Sequence, residues 1–276
     1  MSSAAGPGSA EWRYPNRATP PGSSFYYAVR FAPQSHRDLL AALMGWRHEV
    51  RAILDDVSDP GVARLKLDWW RDELRRTQDG APRHPLSQAL AAALDAHGAR
   101  LPDAPFLALA DQVEQEIRRL RPADAAALRA ADEQDLGALF ELIARANGSG
   151  GDAALAAARS HGGWCAAVRR VRDAGLLLRR DRSVLPQDTL ADAGLTHEAL
   201  ASAEHRGRLP TLLEPLAEAL HRALPAPSAP LPRALRILYR IHAALLDELR
   251  RSHLAVVDQR IGLTPWRKLW ISLRTR

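Results

Sequence analysis

Along most of the chain apolar residues recur at alternating steps of three and four, the spacing that lines one face of an α-helix. Leu39, Leu43, Trp46, Val50 and Ile53 follow it and predict a long core helix ending near Val57. Its start is marked by Pro33 and by Ser35 with Asp38 three residues on, read as a capping box. Asp59 and Pro60 are N-cap and first-turn residues for a second helix, which stops at Asp79 and Gly80. Further helices are predicted over 85–97, 105–120, 122–147 and 153–179, with Gly148 to Gly151 punctuating before the last of these. Prolines at 186, 210, 215, 225, 227, 230 and 232 cut the next region into short helices and loops, and a last long helix covers 232–258. Strand-like alternation with hairpin signals and fixed-period repeats are both missing, so the fold class is all-α.

Residues 1–22 are rich in Gly, Pro, Ser and Ala without periodicity and are expected to form a poorly ordered arm. Residues 23–276 read as a single domain, because only about 45 residues follow the prolines near 225–232, too few for a core of their own. Composition agrees with helix: 46% of residues are hydrophobic but only 5% aromatic, the apolar mass being mostly Ala and Leu. No run approaches the ~18 apolar residues of a spanning helix, and the N-terminus lacks the apolar core of a secretory signal, so a cytoplasmic protein is expected. The lone Cys165, between Trp164 and Ala166, reads as a buried structural thiol. Trp69 and Trp70 point to different faces, one toward the core and the other toward a neighbouring helix.

A net charge of +6, from 38 Lys and Arg against 32 acids, admits an anionic partner. Nucleic acid is not expected, since the arginines are spread through amphipathic segments with no aromatic platform, zinc spacing or basic tail. Diphosphate groups or an anionic membrane surface suit the pattern better. Ten histidines show no paired ligand spacing, so no metal site is predicted from them.

Several ordered segments resemble the squalene/phytoene synthase family. Ser24-Phe25-Tyr26-Tyr27-Ala28 is similar to the family's entry motif, and Asp59-Pro60 with Trp69-Trp70-Arg71-Asp72-Glu73-Leu74 resembles its second helix. Ile143-Ala144 with Gly148, Arg172-Asp173, and Arg182 with Leu185-Pro186 resemble later motifs, in order and at matching spacing. The resemblance implies an isoprenoid-synthase-like helical bundle with a central pocket. In such enzymes two acidic clusters on facing helices hold magnesium ions, which bind the substrate diphosphate and assist its departure.

Here both clusters are depleted. Positions matching the first cluster are Arg51, Ala52 and Asp55, and those matching the second are Asp173, Leu176 and Leu177, with Arg169 in place of the family's Asn. Only Asp55 and Asp173 survive, so the resemblance implies a catalytically degenerate member that needs no cofactor, with Mg2+ required only if activity persists through a rearranged site. Arg47, Arg51, Arg172 and Arg182, with the Ser24 hydroxyl, are candidates for binding diphosphate directly, since guanidinium groups offer forked donors and a permanent charge. The alternative pairs Arg51 with Asp55, and Arg172 or Arg169 with Asp173, closing the old pocket.

The C-terminal segment adds a second feature. Trp266, Leu269, Trp270 and Leu273 share one predicted helical face flanked by cations, as in helices that contact a membrane, or in a terminal helix docked on a core. Three functions therefore stand side by side: an assembly or interaction factor with a protein client, like a degenerate branch of the family that includes a mitochondrial respiratory complex I assembly factor; an active head-to-head prenyl transferase; and a metal-free binder of prenyl diphosphate or polyprenyl lipid.

Overall fold

The computed structural model describes residues 7–223 and 231–276, and the chain there is helical throughout, without a strand among the described residues. Its centre is α2 (Arg37–Asp56). From Leu39 to Arg47 every side chain of this helix is buried, so its apolar stripe widens to the full circumference and neighbours must surround it. They are α1 (Ser24–Arg30), α3 (Pro60–Gln78), α4 (Pro85–Ala96), α5 (Asp103–Ile117) and α7 (Ala138–Ala146). Trp46 anchors the contact with α3 and α5, meeting the rings of Trp70 and Phe106 edge-on at 5.0 and 5.3 Å. Trp70 is buried while Trp69 is 42% exposed, as their adjacent helical positions require. The second long helix, α8 (Asp152–Arg172), lies among α6 (Ala125–Asp132), α7, α12 (Leu209–Arg222) and α13 (Arg233–Arg251). Cys165 is fully buried in it, and burial pushes its thiol far above the usual range.

The second helix from the N-terminus of the ordered core conforms to its cap signals. Asp59 accepts a 2.8 Å hydrogen bond from the Val62 N–H, and α3 runs from Pro60 to Gln78. Other boundaries differ. The capping box before α2 does not form: Ser35 Oγ lies 3.2 Å from His36 Nδ1, and Asp38 accepts from the Tyr14 N–H at 2.9 Å. The single helix expected over 122–147 is two helices, α6 and α7, joined by a π-helical turn at Glu133–Gly137. The helix expected over 153–179 breaks at Asp173, where α8 ends and α9 (Ala174–Arg179) begins. The last long helix stops at Arg251, because His253 and Leu254 turn into left-handed backbone with φ of 51° and 54°. Short helices α10 (Gln187–Asp192) and α11 (His197–Ala201) fill the proline-rich region, and α14 (Pro265–Arg274) closes the chain.

The expected N-terminal arm requires the largest correction. Residues 1–6 lie outside the described residues, but Trp12, Asn16, Ala18 and Thr19 are buried against α2 and α4. The Asn16 side-chain amide donates to the Trp12 and Ala41 carbonyls at 2.9 and 3.1 Å, while its oxygen accepts from the Ala18 N–H. Gly45 makes room: a Cβ there would meet the Trp12 ring at 2.9 Å. Low complexity concealed one anchoring tryptophan and one asparagine whose hydrogen bonds replace regular structure. Replacing Trp12 by Ala should lower the unfolding free energy by about 3–5 kcal/mol, the range for a fully buried aromatic, as read from urea denaturation.

Candidate functional site

Between α2 and α8 the bundle leaves a surface cavity of about 410 Å3, walled also by α5, the π turn and α9. Arg47, Arg51, Ala52 and Asp55 enter from α2, Gln112 and Glu116 from α5, Asp132 and Asp135 from α6 and the π turn. Arg169 and Arg170 come from α8, Asp173 from the break, Leu176, Leu177 and Arg180 from α9 and its end, and Arg182 from the loop beyond. The π turn sits very close to α8. A Cβ on Gly162 would lie 2.5 Å from the Leu136 carbonyl oxygen, so only glycine permits the approach that aims Asp135 into the cavity.

Guanidinium groups and carboxylates are matched across the cavity. Arg47 forks onto Asp135, with Nε and Nη2 donating to the two carboxylate oxygens at 2.7 and 2.6 Å, both side chains being nearly buried. Arg51 donates to Gln112 at 3.0 Å and Glu116 at 3.2 Å and stands 3.4 Å from Asp135. Arg170 holds Asp132 at 2.6 Å and the Ser183 carbonyl at 2.8 Å. Asp55 is held by Arg180 at 2.7 Å and by Arg182, and Asp173 by Arg172 and by Arg260 at 2.9 Å. Arg172 and Asp173 pair as one of the two sequence readings expects, but Arg51 and Asp55 do not pair with each other: helix α5 and the π turn capture the first, and the chain after α9 captures the second.

These contacts set the charge states. Burial opposes ionisation of Asp135, but Arg47 and Arg51 overcome it and hold its carboxyl well below the usual carboxylate range. Asp132 is the opposite case, since burial outweighs Arg170 and pushes its carboxyl up to about 6. Arg169 has no carboxylate within ion-pair distance among the described residues and stacks over the Phe25 ring at 5.4 Å. Burial and then the neighbouring Arg47 and Arg172 push its guanidinium down to about 9. His242 beneath it stays neutral, pushed down to about 3 by burial and by Arg169.

Of the diphosphate candidates, Arg47, Arg51 and Arg182 line the cavity together with the surviving Asp55 and Asp173. Ser24 and Arg172 do not: of the entry motif only Phe25 comes near, its ring lying under the Arg169 guanidinium, and Arg172 is turned onto Asp173. Sequence reasoning passed over Asp132, Asp135, Gln112, Glu116 and Arg180. A signal for the first two existed, because Leu128, Asp132, Asp135 and Leu139 step by four, three and four, placing two acids on an otherwise apolar stripe. The residues present do not suit magnesium. Positions facing the cavity carry Arg51, Ala52, Leu176 and Leu177, and no three acidic, histidine or cysteine side chains among the described residues converge as a metal site would require.

An all-helical bundle with a polar pocket between two central helices is the isoprenoid synthase architecture. A dehydrosqualene synthase crystallised with a ligand superimposes with a TM-score of 0.71 at 17% identity, covering 91% of this chain and 90% of that one. Squalene synthase HpnC from Alicyclobacillus acidocaldarius gives 0.64 at 20% identity over 83% and 88% of the two chains, and YisP from Bacillus subtilis gives 0.57 at 17% over 91% and 89%. These identities establish the fold alone. The squalene/phytoene synthase family profile matches residues 18–267, and the chain belongs to that family. No curated protein matches the sequence.

Arg47→Met should lower the unfolding free energy by about 3–5 kcal/mol, because a buried carboxylate is left with Arg51 alone, whereas Arg47→Met with Asp135→Leu should cost less than the single change. The folded Asp135 carboxyl lies below its unfolded value of about 3.9, so its stabilisation is present above that pH and lost as the pH falls through and below it. Urea midpoints measured from pH 6 down to pH 2 should therefore fall less steeply for the double variant.

Proposed function

We propose that this family member does not carry out metal-dependent prenyl transfer and acts as an assembly or interaction factor in the cytosol. The observation that carries the reading is the pairing of Asp55, Glu116, Asp132, Asp135 and Asp173, each already engaged by at least one guanidinium. A divalent cation would have to displace those arginines, and no three of the carboxylates among the described residues converge to hold it. The α3 stripe of Val62, Leu65 and Trp69, with Leu65 70% exposed, supports a protein client, since large apolar side chains seldom line one solvent face without a partner. No helix among the described residues is long and apolar enough to cross a membrane. Purified protein supplied with farnesyl or geranylgeranyl diphosphate and magnesium should release no pyrophosphate, and reproducible metal-dependent turnover would overturn the reading.

A second reading, a metal-free binder of prenyl diphosphate or polyprenyl lipid, is favoured by Arg169, which among the described residues has no carboxylate within ion-pair distance. An apolar cavity of about 510 Å3 on another face of α8, lined by Leu128, Trp164, Leu185, Leu212 and Leu216, shares Asp132 with the arginine pocket and offers room for a tail. Calorimetry with a non-hydrolysable prenyl diphosphate in EDTA should then register binding that Arg169→Met weakens by about tenfold. Absence of heat in the wild-type protein would remove this reading and leave the first untouched.

A further inference from the structure

Helix α14 presents a bare apolar face that the pocket does not explain. Trp266 is 80% exposed, Trp270 55% and Leu273 54%, so three of the eight exposed large apolar side chains among the described residues fall on one ten-residue helix. At about 100° per residue they occupy a sector of about 60°. Leu269, expected to share that face, is instead half-buried against the core, at the edge of the sector. Arg274 borders the other edge, its guanidinium 4.1 Å over the Trp270 ring.

The opposite face is fully engaged, which makes the helix a fixed platform. Thr264 caps it through a 3.3 Å bond from the Arg267 N–H, Arg267 holds Glu248 at 2.6 Å, and Lys268 donates to the Gly22 carbonyl at 3.0 Å. Ser272 is buried, and the Thr275 carbonyl accepts from Arg233 at 2.8 Å. No acidic residue occurs between Gly262 and Arg276, while Arg267, Lys268, Arg274 and Arg276 do.

We propose that α14 docks the protein onto an anionic lipid surface, lying in the interface with Trp266, Trp270 and Leu273 inserted and Arg274 and Arg276 at headgroup level. Tryptophan suits that boundary, having an apolar ring and a polar N–H, and flanking arginines add attraction to anionic headgroups. Self-association fits less well: an isologous contact through this face would set two acid-free cationic helices against each other. The inference is independent of what the pocket binds.

The test is flotation of the full chain with vesicles of phosphatidylcholine alone and of phosphatidylcholine with phosphatidylglycerol. Wild-type protein should float with the anionic vesicles, less with the neutral ones, and less again in high salt. Trp266→Ser with Trp270→Ser should reduce the partition coefficient by roughly tenfold or more, and Trp266→Phe with Trp270→Phe should restore much of it. Both pairs alter exposed positions and should melt with the wild-type protein, which circular dichroism checks. Wild-type protein that stays at the bottom of the gradient overturns the proposal, as does equal flotation of the Ser pair. So does sedimentation showing a dimer that the Ser pair dissolves, which would assign the face to a second copy.

Discussion

The paired contact between Arg47 and Asp135 is the constraint round which the molecule is arranged. Helix α2 is buried on every side from Leu39 to Arg47, so that stretch carries a guanidinium out of water, and such a charge must meet a fixed opposite charge. Asp135 supplies it from the π-helical turn that joins α6 to α7. That turn can approach only because α8 offers glycine at 162. One ion pair thus ties the register of α2, the joint between α6 and α7, and the small-residue face of α8 to each other.

Guanidinium–carboxylate pairs and a metal cluster equip a pocket for different chemistry. A divalent ion gathers oxygens from several sides and remains free to exchange one for a phosphate oxygen; a guanidinium is tethered to its own helix and offers donors in one plane. In this chain six arginines and six carboxylates line the cavity, so its charge nearly balances, but the balance is uneven. Arg169 is surplus on the buried side next to a neutral His242, whereas Asp56 is exposed at the rim. The ion pairs cross-link α2 to α5, to the π turn and to the chain after α9, and α8 to α6.

Much of the architecture was legible from local spacing. Apolar positions at steps of three and four placed the helices, Asp59 and Pro60 placed a helix start to the residue, and the ordered motifs from Ser24 to Pro186 led to the family. The residues Arg51, Ala52, Leu176 and Leu177 were equally plain in the chain, because the identity of a residue at a given helical position is a local fact. Periodicity reports which face of a helix is apolar and says little about a lone anchor in irregular chain, which is why Trp12 and Asn16 escaped notice.

The sequence by itself determined that these helices form, which faces they bury and which residues stand at the positions that line the cavity from α2 and α9, since each follows from residues within a few turns of one another. Tertiary structure alone decided the partners. Asp135 meets Arg47 across 88 residues, and Asp55 meets Arg180 across 125, so Arg51 turned away from the acid one turn along its own helix. It likewise decided that Ser24 stays out of the cavity, that the Arg169 guanidinium stacks on the Phe25 ring, and that Leu269 packs inward while Trp266 and Trp270 face solvent. The physical reason is the same in each case: a charged or amphipathic side chain is satisfied by whichever group the packed helices bring within reach, and that distance is fixed only when the bundle closes.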